Sequence, residues 1–270
     1  HDRVDIKLYE SSWPQIWQQV VREGNALAYS LEVALHFSDA ASEELTAFFE
    51  VASETRIKSI VIFHRDHKVT PEALVTEAIP RLRRRFPDTL VGGGTDHFFT
   101  ELNRERVSKN QLDFLSYSIN PQVHQFDNQS LIETLQAQAY TVASARQFAN
   151  SIPVQVSPVT LKMRKNPNAT GQPPTPDPNI LPATVDTRQV SLFGAGWTVG
   201  SLRNLIQSGV SSITYYETVG RKGIVSGEAE ASFPELHPLR FNTPYPVYLV
   251  LRHLLSEQAY EAFEVQSSHP

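Results

Sequence analysis

The chain has 270 residues, of which 40% are hydrophobic, 10% aromatic and 20% charged. That is a globular composition with enough apolar material for a sizeable core, which excludes a disordered or disulfide-stapled class. Lys and Arg number 24 against 29 Asp and Glu, a formal net charge of −5, and this sign argues against nucleic acid or an anionic membrane as a main partner. Cysteine is absent, so disulfides, thiolate metal sites and cysteine nucleophiles fall away together. No apolar run approaches the ~20 residues of a membrane span. The opening His1-Asp2-Arg3-Val4-Asp5 holds no signal-peptide core, so a cytoplasmic location is expected. With His1 first and Met163 its one methionine, the chain reads as a piece of a longer protein.

Val4–Tyr9 reads as the first strand, and Gly24 falls where the helical stretch behind it should stop. Leu31–Phe37 follows as a second strand, apolar almost throughout, as expected where both faces are covered. Leu45, Phe48, Phe49 and Ala52 then recur at helical spacing, and Lys58–His64 makes the third strand. Thr70-Pro71-Glu72 puts a capping hydroxyl before a proline at the first helical position. Leu74, Ala78, Ile79 and Leu82 form that helix's apolar stripe, and Arg81, Arg83, Arg84 and Arg85 read as a solvated, basic helix end. Thr89–Gly93 is the fourth strand, with Gly92-Gly93-Gly94 marking a close backbone approach. Asp113–Ile119 is the fifth, and Leu131, Leu135, Ala139 and Val142 form the stripe of a helix after it. Pro153–Thr160 is the sixth. Pro167 to Pro182 then holds six prolines and no periodicity, within a loop we bound at 163–190. Leu202, Leu205 and Ile206 mark another helix that Gly209 should end, before a seventh strand at Ser212–Glu217.

Strand and helix alternating in this way imply a parallel sheet with right-handed crossovers. The length favours a closed (β/α)8 TIM barrel over an open doubly wound sheet, as one domain over residues 1–270. Seven strands are one short of eight, so the eighth is expected either in a stretch cut away at the start or at Phe263–Gln266.

Barrel enzymes take their chemistry from the C-terminal ends of several strands. His64 follows the third strand; Thr95, Asp96, Glu101 and Asn103 follow the fourth. Tyr117, Asn120 and His124 belong to the fifth, Thr160 and Lys162 to the sixth, Tyr216 and Glu217 to the seventh. Glu217 is the sharpest case, an acid closing an apolar strand beside two phenols that could hold it. Glu101 lies three strands earlier, so the two carboxylates could face each other across a barrel mouth and act as an acid–base pair. Phe99-Thr-Glu-Leu-Asn-Arg104 could equally be a short helix, with Glu101 on its wet face. Val190 to Gly200 mimics a dinucleotide fingerprint, but the strand before it is too short and Trp197 crowds the phosphate position, so a Gly-rich entry to a helix reads better. Among 9 histidines no His-Glu-x-x-His or His-x-His pairing occurs, although His36 and His64 each close a strand. No metal and no cofactor are expected.

Val91-Gly-Gly-Gly-Thr-Asp96, Phe99-Thr-Glu-Leu-Asn-Arg104 and Asp113-Phe-Leu-Ser-Tyr-Ser-Ile-Asn-Pro-Gln-Val-His124 resemble the central barrel domain of bacterial D-apionate lactonases. Val156-Ser-Pro-Val-Thr160 and Thr214-Tyr-Tyr-Glu-Thr218 are similar to it in the same order, so the resemblance spans nearly the whole chain. It implies a carbohydrate-lactone hydrolase laid out like retaining glycoside hydrolase barrels, with β-rich flanking domains elsewhere in the parent chain. The usual Asn-Glu pair of such glycosidases is missing. The expected activity is therefore hydrolysis of a sugar-derived lactone, with Glu217 as base or nucleophile and Glu101 as acid. His64, Asn103, Tyr117, Asn120, His124 and Tyr216 are the expected substrate contacts. The alternatives are a glycoside hydrolase using the same two acids, or a carbohydrate-binding barrel without catalysis.

Overall fold

A computed structural model describes residues 2–52, 56–108, 111–166, 168, 177, 180–227 and 242–256. Seven strands alternate with helices, as the sequence pattern predicts: β1 (Asp2–Lys7), α1 (Trp13–Leu27), β2 (Leu31–Phe37), α2 (Ala41–Val51), β3 (Ile57–His64), α3 (Glu72–Arg85), β4 (Leu90–Phe98) and α4 (Phe99–Arg104). There follow β5 (Phe114–Ile119), α5 (Asn128–Glu133), α6 (Leu135–Ala149), β6 (Val154–Val159), a 3-10 turn (Thr187–Val190), α7 (Leu192–Gln207), β7 (Ser212–Tyr215) and α8 (Pro246–Leu255). The strands are hydrogen-bonded in chain order. The chain forms two compact units, residues 1–118 with 144–157, and residues 119–143 with 158–270. Phe263–Gln266, the possible extra strand, and most of Pro167–Pro182 lie outside the described residues. Among the described residues, no helix is long and apolar enough to cross a membrane.

In the first unit β1 to β5 pair in parallel, with Arg3 opposite Glu32, Lys7 opposite His36, Leu35 opposite Ile62 and Gly93 opposite Leu115. The β5–β6 pair is parallel too: the Leu115 N–H donates to Pro153 O in this unit, and the Thr160 N–H to Ile119 O in the second. Every residue of β2 is buried, as two-sided cover demands. On one strand face Ala34, Val61, Phe63 and Phe114 form an apolar cluster. On the other side of the strands, Trp17 of α1 meets Phe48 of α2 edge-on at 5.1 Å, and Phe48 meets Phe86 at 6.4 Å.

Several local expectations are corrected. Thr70 does not cap α3, whose flanking residue is Pro71. Its hydroxyl instead donates to Ile62 O at 2.6 Å and accepts the Gly94 N–H at 2.9 Å, so it ties β3 to β4. Gly24 lies inside α1, and Ala28 takes the left-handed position at φ 56. Gly209, at φ 76, does stand just past α7. The Arg81–Arg85 run is not merely solvated: Arg83 pairs with Asp113 at 2.6 Å, and Arg85 donates to Ala52 O.

In the second unit the glycine pattern of Val190–Gly200 is helical. Ser191 caps α7 by accepting the Gly194 N–H, and Trp197 donates from its indole to Leu131 O at 3.1 Å. Gly194 and Gly200 let the helix approach the Arg188 carbonyl and Leu135. Those glycines serve packing, not phosphate binding.

Candidate active site

Alternation along β1 and β2 puts Arg3 and Asp5 on one face of the first strand and Glu32 and His36 on one face of the second. Arg3 is the hub. Its Nη1 donates to Ser157 O at 2.5 Å and Oγ at 3.0 Å, and its Nη2 to Asp5 Oδ1 at 2.9 Å and Asp96 Oδ1 at 3.1 Å. Glu32 Oε1 lies 3.9 Å from Nη1 and accepts the Ser157 hydroxyl. Burial works against the guanidinium charge, but Asp5, Asp96 and Glu32 outweigh it and hold the Arg3 pKa above its ordinary value. His36 Nε2 stands 3.5 Å from Asp5 Oδ1 and 3.9 Å from Asp96 Oδ2. Of these side chains Asp5 reaches solvent, at 27% exposure, while those of His36, Glu32 and Asp96 are buried. Asp5, His36 and Asp96 bring ligand atoms within 4.8 Å of one another, a spacing open to a cation. The Arg3 guanidinium bonds two of the same carboxylates, so positive charge is already supplied there by the protein.

The other residues expected in this unit are dispersed. His64 is buried, accepts the Asp66 N–H on Nδ1 at 3.2 Å, and faces Asp39 at 3.5 Å through Nε2. Strand β4 runs on to Phe98 past its glycines, through a register irregularity between Thr95 and Phe98. Glu101 consequently sits in the first turn of α4 and not at a strand end, and it is buried at 7% exposure instead of lying on a wet face. It pairs with Lys68 at 3.5 Å and Arg104 at 3.4 Å. Asn103 is exposed on the same helix. Tyr117 is fully buried, its ring 5.1 Å from Phe99, and offers no surface to a sugar.

In the second unit the loop after β5 is fastened by Gln122, whose Nε2 donates to Leu161 O at 2.7 Å and to Asp186 Oδ2 at 2.5 Å. Arg188 closes the group, donating to Asp186, to Gln122 Oε1 and to Phe126 O. Burial pushes the Asp186 pKa up, but the bonds from Arg188 and Gln122 prevail and hold it below 3.8, its ordinary value. Asn120 is half-buried and His124 exposed on this loop.

At the end of β7 the phenols point away from their expected duty. The Tyr216 hydroxyl shares a hydrogen bond with Thr198 at 2.7 Å and that of Tyr215 with Ser201 at 2.8 Å, so α7 holds both instead of Glu217. Burial raises both phenol pKa values above the ordinary range. Tyr216 is left-handed at φ 56, which turns the chain sharply before Glu217. Glu217 is exposed, and its partner is Lys222, with Nζ 2.5 Å from Oε1. Its backbone N–H also donates to Lys222 O at 3.1 Å. Glu101 and Glu217 belong to different units.

Sequence reasoning passed over Arg3, Glu32, Ser157 and Lys222. A signal existed for Glu32: a charge inside a strand whose neighbours are apolar must find a buried partner.

A family model described as the D-apionate lactonase TIM barrel domain matches residues 3–259. The chain belongs to this family. A D-apionate lactonase of Brucella anthropi is 30% identical over 215 residues, covering 74% of this chain. The chain spans only 35% of that relative's length. Among solved structures, a β-glucuronidase of Ruminococcus gnavus superposes with TM-score 0.58 at 7% identity, over 93% of this chain and 43% of that one. An α-L-arabinofuranosidase of Thermotoga maritima gives 0.52 at 10%, over 78% and 48%. Fungal β-1,4-galactanases give 0.51 at 14%, over 88% and 86%. At such identities the lactonase-family barrel shares a fold with these proteins, and the strand-end geometry must carry the chemistry.

Proposed function

We propose that this chain is the catalytic barrel of a hydrolase that opens a sugar-derived lactone such as D-apionolactone. The observation that carries the reading is Glu217, an accessible carboxylate just past β7 with an ammonium at 2.5 Å, in a chain of the lactonase family. Lactone hydrolysis needs an activated water, support for the tetrahedral oxyanion, and a proton for the leaving alkoxide. Glu217 takes the proton from the attacking water. The proton that Glu217 receives then passes to the leaving ring oxygen. Asn120 and His124, on the loop after β5 in the same unit, are the candidate contacts to sugar hydroxyls.

The test is turnover of D-apionolactone and related aldonolactones by the full-length protein, followed by titration of released acid. Glu217→Gln should lower kcat by at least ~10², the low end for losing an acid–base group. Cleavage of aryl glycosides with no lactone turnover would overturn the reading in favour of a glycosidase.

A further inference from the structure

We propose that Lys222 is a catalytic residue that donates a hydrogen bond to the oxyanion of a lactone, making Glu217 and Lys222 one acyl-transfer pair. This rests on the reading of Glu217 as base. An exposed ion pair adds little to stability, so the fold has little to gain from this one. The chain nevertheless goes to unusual lengths to form it. Tyr216 adopts a left-handed conformation, a strained one for a residue with a side chain. Gly220 is left-handed at φ 105, and a Cβ at Gly223 would strike the Val219 backbone. The loop is bonded across itself, with the Gly220 N–H donating to Val225 O at 2.8 Å and the Gly223 N–H to Gly220 O at 2.9 Å. Gln189 donates to Gly223 O and the Tyr245 hydroxyl to Gly220 O, so the loop is also pinned from outside. The Lys222 backbone is therefore held beside Glu217, its ammonium pairs with that carboxylate, and both side chains remain about half exposed and open to a substrate, at 42% and 49%.

The charge pattern selects the substrate class. At a lactone carbonyl, the water oxygen forms a bond to carbon as its proton passes to Glu217, and the C=O electron pair moves onto oxygen. The Lys222 Nζ–H meets that negative charge without giving up its proton. Collapse of the intermediate breaks the bond from the acyl carbon to the ring oxygen, which takes the proton held by Glu217 and leaves as a hydroxyl, restoring the Glu217 carboxylate. A glycosidic centre instead develops positive oxocarbenium charge, which an ammonium beside the carboxylate would repel.

In the full-length protein, Lys222→Met should lower kcat for an aldonolactone by about 10²–10³, the usual loss of an oxyanion donor, with KM nearly unchanged. Lys222→Arg should keep more activity, and added ethylammonium should partly restore Lys222→Gln. A merely structural lysine would give neither the kcat-only effect nor the amine rescue. If Lys222→Met retains kcat, or loses only KM, while Glu217→Gln is inactive, the oxyanion role falls and the base survives. If Glu217→Gln retains full activity, the base assignment falls and takes this pairing with it.

Discussion

Arg3→Met tests the hub of the first unit. The substitution keeps an unbranched side chain of similar reach but leaves Asp5, Glu32 and Asp96 facing one another without their guanidinium. Arg3 is only 4% exposed in its side chain, so water cannot replace the lost cation. Removing one partner from a buried ion network costs about 3–5 kcal/mol. In a chain of this size each kcal/mol lowers Tm by roughly 2 °C, so a fall of about 6–10 °C is expected. Thermal unfolding of the full-length protein by circular dichroism measures it directly. Arg3→Lys should fall between the two, because one ammonium restores charge but not the fork that reaches Asp5, Asp96 and Ser157 together. Adding Glu32→Gln to Arg3→Met should recover part of the loss by removing one uncompensated charge. An Arg3→Met protein that melts with the wild type would refute the reasoning, since the carboxylates would then not depend on Arg3.

Gly94→Ala should destabilise by at least ~2 kcal/mol, because its Cβ would meet the Ser116 carbonyl and φ is 155, whereas Gly196→Ala, with open space around the new Cβ, should add about 0.5–1 kcal/mol to helix α7; urea midpoints compare the two. Asp186 is held below its ordinary pKa of 3.8, so its stabilisation is present above that value and disappears as pH falls below it toward the folded-state pKa. The stability gap between wild type and Asp186→Asn should accordingly be wide near about pH 6 and narrow near about pH 3; a gap independent of pH would contradict the assignment.

The strand order and most helix faces were legible because parallel strands covered on both sides are continuously apolar. Leu31–Phe37 and Lys58–His64 could be placed almost residue for residue. The extent of β4 was not, because Gly92-Gly93-Gly94 reads as an ending. In the fold the glycines are what let β4 pass close to Phe114 and Ser116 before continuing to Phe98. The single stripe from Leu131 to Val142 is broken at Thr134 into α5 and α6, a break that the apolar spacing does not mark. At the candidate site Glu217 was marked as the acid closing a strand, but β7 ends at Tyr215 and Glu217 stands beyond the turn at Tyr216. Its partner was not marked, since a lysine five residues on becomes a neighbour only when a left-handed tyrosine and two glycines fold the loop back.

The Arg3 network was illegible for a different reason: it joins residues as far apart as Arg3 of β1 and Ser157 of β6, strands that do not pair, so the tertiary fold alone makes them neighbours. Its chemistry still constrains interpretation. Barrel interiors are filled by layers of branched apolar side chains, and well-packed hydrophobic residues can replace a buried ion network at no cost in stability. Stability therefore does not account for three carboxylates, one guanidinium and one imidazole on these strand faces. What the network does fix is direction: Asp5 accepts from Arg3 and stands 3.5 Å from His36 Nε2, and so is held in one orientation while its side chain stays partly open to solvent. In the second unit the same logic recurs at higher exposure, where backbone bonds in the 217–225 loop hold the Lys222 backbone beside Glu217. In both places a partly exposed carboxylate, Asp5 or Glu217, faces a cationic partner supplied by the protein itself.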